Sequence, residues 1–216
     1  MCGNVVLMLI IFGLLAAIFS TMQYIPYIFN VLKGKTQPQR AGWFIWFVLG
    51  IVMFVSQLAK GGEASLWIVL VHIVGNGLIF LLSFKYGDKS GFSRRDYYTL
   101  IAAAFGIVLW VITNEPVLAL LIAIAVDALG AVLIGIKAYK RPFEETLMTW
   151  VLGAVAGVCS ILAVKDMSSV LVIYPIYAAL NAGLIAAVVI VRRKRLMRAQ
   201  PLPEQPTPVA ALEPAD

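Results

Sequence analysis

Residues 33–59 read KGKTQPQRAGWFIWFVLGIVMFVSQLA, and residues 137–163 read KAYKRPFEETLMTWVLGAVAGVCSILA. At a constant offset of 104 positions, Lys33, Pro38, Trp46, Ser56, Leu58 and Ala59 return as Lys137, Pro142, Trp150, Ser160, Leu162 and Ala163. Self-similarity at a fixed period is the mark of a duplicated structural unit. Apolar segments match by chance. Pro, Trp and Lys are less expected in lipid-facing sequence, and both copies hold the same place in the order of apolar segments.

Outward from this repeat, the rest of the chain is apolar. Of its 216 residues, 62% are hydrophobic and only 13% charged, about half the charged share of a soluble domain. The surplus therefore faces lipid. About 20 apolar residues cross a bilayer as a helix, which predicts spans at 5–32, 42–60, 64–86, 97–113, 116–136, 146–164 and 168–191. The fourth has no mate in the duplication. The expected fold is all-α, with seven transmembrane helices as two three-helix bundles joined by a linker helix. The first bundle covers 1–92, the linker 93–114 and the second bundle 115–192. Copies on either side of one linker helix share an orientation, so the halves form parallel repeats with a pathway between them.

Charge sets the direction. Of 17 Lys and Arg residues, 15 fall in the loops after spans one, three and five and just after span seven, leaving only Lys60 and Lys165 on the other side. The positive-inside rule then puts the N-terminus outside and the C-terminus in the cytoplasm. A bacterial-type inner, or plasma, membrane is the expected location. Basic residues confined to loop ends argue against a nucleic-acid partner. The first apolar stretch has no leading Lys or Arg and reads as a retained span. Cys2 and Cys159 are too far apart in the topology to suggest a disulfide, and Cys159 reads as a small core residue. Residues 193–216, rich in Pro from Pro201 onward, read as a disordered cytoplasmic tail.

Polar groups are costly in hydrocarbon and turn toward a cavity or a partner. Paired through the repeat, Gln23 meets Asp127 and Gln57 meets apolar Ile161, and with one residue of slippage Asn76 meets Asn181 and His72 meets Tyr177. The two asparagines each offer an acceptor and two donors, suited to clamping a small polar solute. Hydrogen bonding between helices is the bland alternative. His72 is the only histidine. It reads equally as pocket lining or as a satisfied packing residue, and one histidine without ligand-spaced Cys or carboxylates makes no metal site. Asp127 is the only carboxylate deep in a span, where its ionised form is expensive. That motivates proton coupling, against a fixed hydrogen bond to a neighbour such as Gln23 or a tyrosine. Pro26 removes a backbone donor inside span one and predicts a kink or hinge. Its counterpart Gly130 is also permissive of bending. Trp43, Trp46, Tyr86, Tyr97, Tyr98 and Trp150 near span ends read as interface anchors. Glu144 and Glu145 read as a solvated cluster more readily than as gate salt bridges.

At this point the chain resembles the SWEET and PQ-loop repeat transporters. The stretch Pro26-Tyr27-Ile28-Phe29-Asn30-Val31-Leu32-Lys33-Gly34-Lys35-Thr36 is similar to that family's first-helix motif and basic loop, with Tyr27 standing where the motif has glutamine. Asn76 and Asn181 match its paired asparagines. The resemblance implies alternation between outward- and inward-open states, with solute near those asparagines. It implies that Phe54 and Val158 approximate a second-helix tryptophan of the sugar pocket, and that Asp127 is similar in placement to an acidic residue of proton-coupled relatives. The expected substrate-binding set is thus Asn76, Asn181, His72, Tyr177, Phe54 and Gln57, with Asp127 and Gln23 in coupling and Pro26 and Gly130 as hinges.

The expected function is transport of a small polar solute, sugar or amino-acid-like, with the bilayer as the other partner. A monomer is capable of the full pathway, and a homo-oligomer is compatible with it. No cofactor, metal or catalytic group is called for. The alternative on the same fold is a non-transporting receptor or assembly factor. A membrane enzyme is disfavoured, because no metalloprotease helix motif, catalytic triad or phosphate loop is present. A retinal protein is excluded by the absence of lysine in span seven.

Overall fold

The protein, described from a computed structural model, is resolved into interpretable structure at residues 2–59, 64–87, 92–113, 115–165, 167 and 172–199. Its elements there are helices: α1 (Cys2–Met22), α2 (Tyr24–Leu32), α3 (Arg40–Ala59), α4 (Ala64–Tyr86), α5 (Arg94–Ile112), α6 (Pro116–Lys140), a 3-10 turn (Pro142–Glu144), α7 (Leu147–Leu162) and α8 (Ile173–Ala199). Five stretches are long and apolar enough to cross a membrane: Val5–Leu32, Val69–Tyr86, Arg94–Ile112, Val117–Lys140 and Ile173–Ala199. Arg40–Val55 and Leu147–Leu162 are shorter apolar helices. These are the two segments expected as spans two and six. Large side chains such as Leu14, Leu81, Phe105, Leu180 and Leu184 stand more than half exposed, the outward apolar face that lipid requires.

Local chemistry sets the helix ends. The hydrogen-bond ladder of span one is interrupted at Gln23, whose backbone keeps right-handed helical angles (φ −58°, ψ −27°). Pro26, three residues on, cannot donate to the Met22 carbonyl, so the helical ladder is interrupted at this turn. α5 starts earlier than expected. Ser93 accepts from the Asp96 amide while Asp96 accepts from the Ser93 amide, a reciprocal capping box. α8 runs on through Ala199, seven residues into the expected tail. Arg193 ties this extension down by donating to the Pro142 and Glu145 carbonyls, at 3.0 and 2.6 Å. Residues 200–216, and with them most of the expected disorder, lie outside the described residues.

The helices pack in pairs. α3 lies along α4, and α7 along α8. α1 and α2 pack on α7, and α3 packs on α6. α2 also meets α4, α6 meets α8, and α5 rests on α6 and the edge of α3. The α7–α8 crossing is close. A Cβ on Gly157 would sit 2.6 Å from the Ala179 backbone, so glycine is required there.

Candidate functional site

One cavity of about 460 Å³ runs between the helix pairs. It draws its lining from every helix except α5. Its size falls within the roughly 300–1,000 Å³ of small-molecule sites.

Two polar clusters face it. On the α1–α4 side, Ser20 Oγ lies 2.9 Å from His72 Nε2. The Tyr24 hydroxyl donates to Asn76 Oδ1 at 2.9 Å. The Tyr24 ring lies flat against Gly75, where an added Cβ would come within 2.6 Å of the ring. Glycine at 75 therefore lets the phenol reach Asn76. The Tyr24 ring also meets His72 edge-on, centroids 5.9 Å apart. On the α6–α8 side, the Tyr177 hydroxyl donates to Asp127 Oδ2 at 2.6 Å, and Asn181 Nδ2 donates to the Tyr177 hydroxyl at 3.5 Å. His72 and Asn76 are one helical turn apart on α4, and so are Tyr177 and Asn181 on α8, which puts each pair on one face.

The helix break feeds this site. Gln23 lies in the turn between α1 and α2, its amide donating to the Ser20 carbonyl at 2.9 Å. The Thr149 hydroxyl of α7 donates to the Gln23 carbonyl at 3.0 Å. In the other half, the Trp46 indole of α3 donates to the Asp127 carbonyl, also at 3.0 Å. The repeat-related residues Gln23 and Asp127 are thus each held, through the backbone, by a helix of the opposite copy.

At one end the cavity stops on three tryptophans. Trp43, Trp46 and Trp150 lie with ring centroids 5.2–6.4 Å apart. Tyr27, fully buried, packs at a tilt against Trp43 and accepts its indole N–H at 3.1 Å. The Trp150 indole donates to Glu145 Oε1 at 3.1 Å, and Glu145 Oε2 pairs with Lys137 Nζ at 2.7 Å. Beside it, Thr36 and Thr146 join their hydroxyls at 2.7 Å across the two copies. In the other direction the lining reaches Ala163 and Tyr174, at the far ends of α7 and α8.

Of the residues expected from sequence, Asn76, Asn181, His72, Tyr177, Asp127 and Gln23 all line this cavity. Phe54 and Val158 do not: Met53 and Gly157 hold the wall. Adjacent residues point about 100° apart around a helix, which turns Phe54 off the wall and leaves Val158 half exposed. The Gln57 side chain lies outside the described residues. Pro26 adjoins the helix break and does not line the cavity. Gly130 sits inside uninterrupted α6, where a Cβ would come 2.8 Å from Trp46 Nε1. Its observed service is close packing of α3 on α6.

Two expectations are corrected. Trp43 and Trp150 are nearly fully buried and Trp46 is half-buried, so they floor the cavity and do not anchor an interface. Tyr97 and Tyr98 are exposed, as anchors are. Glu145 is not solvated: it is 2% exposed and ion-paired. A signal for this was available, since its repeat counterpart is Ala41, an apolar position that is itself fully buried. Ser20 and Tyr24 escaped the sequence reading because their counterparts, Ile124 and Ala128, are apolar.

Among the described residues no three of His, Cys, Asp and Glu converge as metal ligands. Comparison with protein-family models, characterised proteins and solved structures finds no match.

Proposed function

We propose that the protein carries a small polar solute across a membrane by alternating access between two three-helix halves. The halves are α1–α4 and α6–α8, with α5 as the linker. Carrying this proposal is one observation: polar residues from both copies line a single cavity, one end of which is packed with three tryptophans. The packing also supports it. α3 on α4 corresponds to α7 on α8, α1 and α2 on α7 to α3 on α6, and α2 on α4 to α6 on α8. Each correspondence exchanges first copy for second, as a pseudo-two-fold axis along the membrane normal would.

The floor lies at the basic ends of the helices. On the positive-inside rule that end is cytoplasmic, and the conformation is outward-facing. The solute enters past Tyr174 and Ala163, and Asn76 and Asn181 hold it by hydrogen bonds. Tyr24 and Tyr177 keep those amides oriented. Passage inward requires the tryptophans to separate and the Lys137–Glu145 latch to release, as the helix pairs rock about the break at Gln23. Asp127, the one carboxylate in the lining, carries a proton with the solute. No bond in the solute is made or broken. The resemblance to SWEET and PQ-loop transporters points the same way.

Uptake of radiolabelled sugars, amino acids and carboxylates into proteoliposomes tests the proposal. Saturable uptake of at least one solute is expected. Failure of the whole panel, together with a protein partner that co-purifies, would move the chain to the receptor or assembly-factor class.

A further inference from the structure

A second pocket, of about 180 Å³, lies at the basic helix ends, away from the cavity. It sits where the start of α3, the start of α5 and the end of α6 meet. Among the described residues five cationic side chains line it, Arg40, Arg95, Lys137, Lys140 and Arg141, against one carboxylate, Asp96.

Most of the opposing charge is already committed. Asp96 accepts from the Gln39 amide at 2.9 Å and from the Ser93 amide and hydroxyl at 2.7 and 2.9 Å. Lys137 is paired with Glu145, and Arg141 lies 3.5 Å from Glu144. Arg40 is fixed by neighbours that take none of its charge. Its Nη2 donates to the Ser83 carbonyl at 3.1 Å, and its guanidinium lies over Phe84 and Phe92. Arg40 Nε is buried and has no acceptor among the described residues. A buried donor of a charged group without a partner is costly and calls for an anion. Arg95 and Lys140 are exposed cations of the same pocket.

The repeat shows why the excess falls here. Glu144 and Glu145 stand at the positions corresponding to Arg40 and Ala41. The second copy therefore balances its loop cations with carboxylates, and the first copy does not. α5, which has no counterpart, encloses the unbalanced side. Around it Tyr97, Tyr98 and Tyr139 are exposed, as amphipathic rings at headgroup depth are. Phe92, Leu133 and Ile136 supply an apolar wall.

We propose that this pocket binds a phosphate-bearing anion, supplied in the membrane by the headgroup of an anionic phospholipid. Arg40 holds a phosphate oxygen from within, and Arg95 and Lys140 neutralise it from the surface. Basic pockets between helices on the cytoplasmic side recognise such headgroups.

The full-length protein, in detergent, is titrated with phosphatidylglycerol, phosphatidylcholine or inorganic phosphate and weighed by native mass spectrometry. Phosphatidylglycerol should bind well above phosphatidylcholine. Arg95→Ala with Lys140→Ala should weaken it about thirtyfold, the loss for two cations near an anionic surface. Inorganic phosphate should compete only weakly. Arg195→Ala with Arg198→Ala, on the α8 extension, is the control for diffuse surface charge and should change little. An equal loss in both double variants, or equal binding of the two lipids, would overturn the proposal. Phosphate binding tightly with no preference between lipids would assign the pocket to a free anion and overturn the lipid source. Arg95 and Lys140 are exposed, so unchanged helical circular dichroism is expected in the test variant.

Discussion

The two faces of the cavity are built alike and charged differently. On α4, His72 and Asn76 stand one turn apart; on α8, Tyr177 and Asn181 do the same. The asparagine level is shared. One turn away the faces diverge. His72 meets a serine hydroxyl from α1, whereas Tyr177 meets a carboxylate from α6. The two faces thus share the asparagine level, while an imidazole stands on one side and a carboxylate on the other. We read the shared level as the solute grip and the unlike level as the place where energy coupling was added.

The harshest way to break this comparison is to remove the shared level. Asn76→Ala with Asn181→Ala should cut transport by about a hundredfold, taking a hydrogen bond from each side at roughly 1.5 kcal/mol apiece. Proteoliposome uptake reads the loss, and near-normal uptake would leave the amides as helix-to-helix glue. Removing the unlike level is more selective. Asp127→Asn retains an acceptor for Tyr177 yet cannot exchange a proton. Stimulation by an outside-acid gradient should vanish, while uptake at equal pH stays within about tenfold of wild type. A variant with a normal gradient response would erase the functional distinction between the faces.

Packing sharpens the contrast. Gly75→Ala would push a methyl into the Tyr24 ring, whereas Gly183→Ala on α8 meets only Ala154 Cβ at 4.0 Å. The first should cost about 1–3 kcal/mol, read as a lowered thermal midpoint in detergent, and the second should be close to neutral. The smallest effect is expected for Ser20→Ala, which removes one half-buried hydrogen bond at about 1 kcal/mol, roughly fivefold in solute affinity. A loss far beyond that would make Ser20 a direct solute ligand.

The sequence made the shared level readable because asparagine recurs there. Asn76 and Asn181 needed the repeat offset and one residue of slippage to be set beside each other. Tyr24 and Ser20 could not be found that way, since Ala128 and Ile124 carry no polar group to mark the place. The tryptophans failed for another reason. Trp150 near a span end fits a lipid interface or a cavity floor equally well, and only rotation about the helix axis separates the two. Phe54 was lost to the same ambiguity, one residue from Met53. Glu145 shows that a loop position in the chain can be a core position in space. It follows Pro142 into a turn roofed by Arg193 of α8, a contact made by residues 48 positions apart. The helices were legible from length and hydropathy alone. Their neighbours were not, because apolar surfaces carry little information about which partner they meet.

The floor has an optical consequence. The chain has five tryptophans, and three of them, Trp43, Trp46 and Trp150, share one contact cluster at the bottom of the cavity. Their ultraviolet emission depends on how tightly they are stacked and how dry they are. The protein thus contains its own fluorophore at the point that, in the proposed transport cycle, parts for a solute to leave. If the proposed cycle operates, adding a transported solute should change this native emission, without an attached dye.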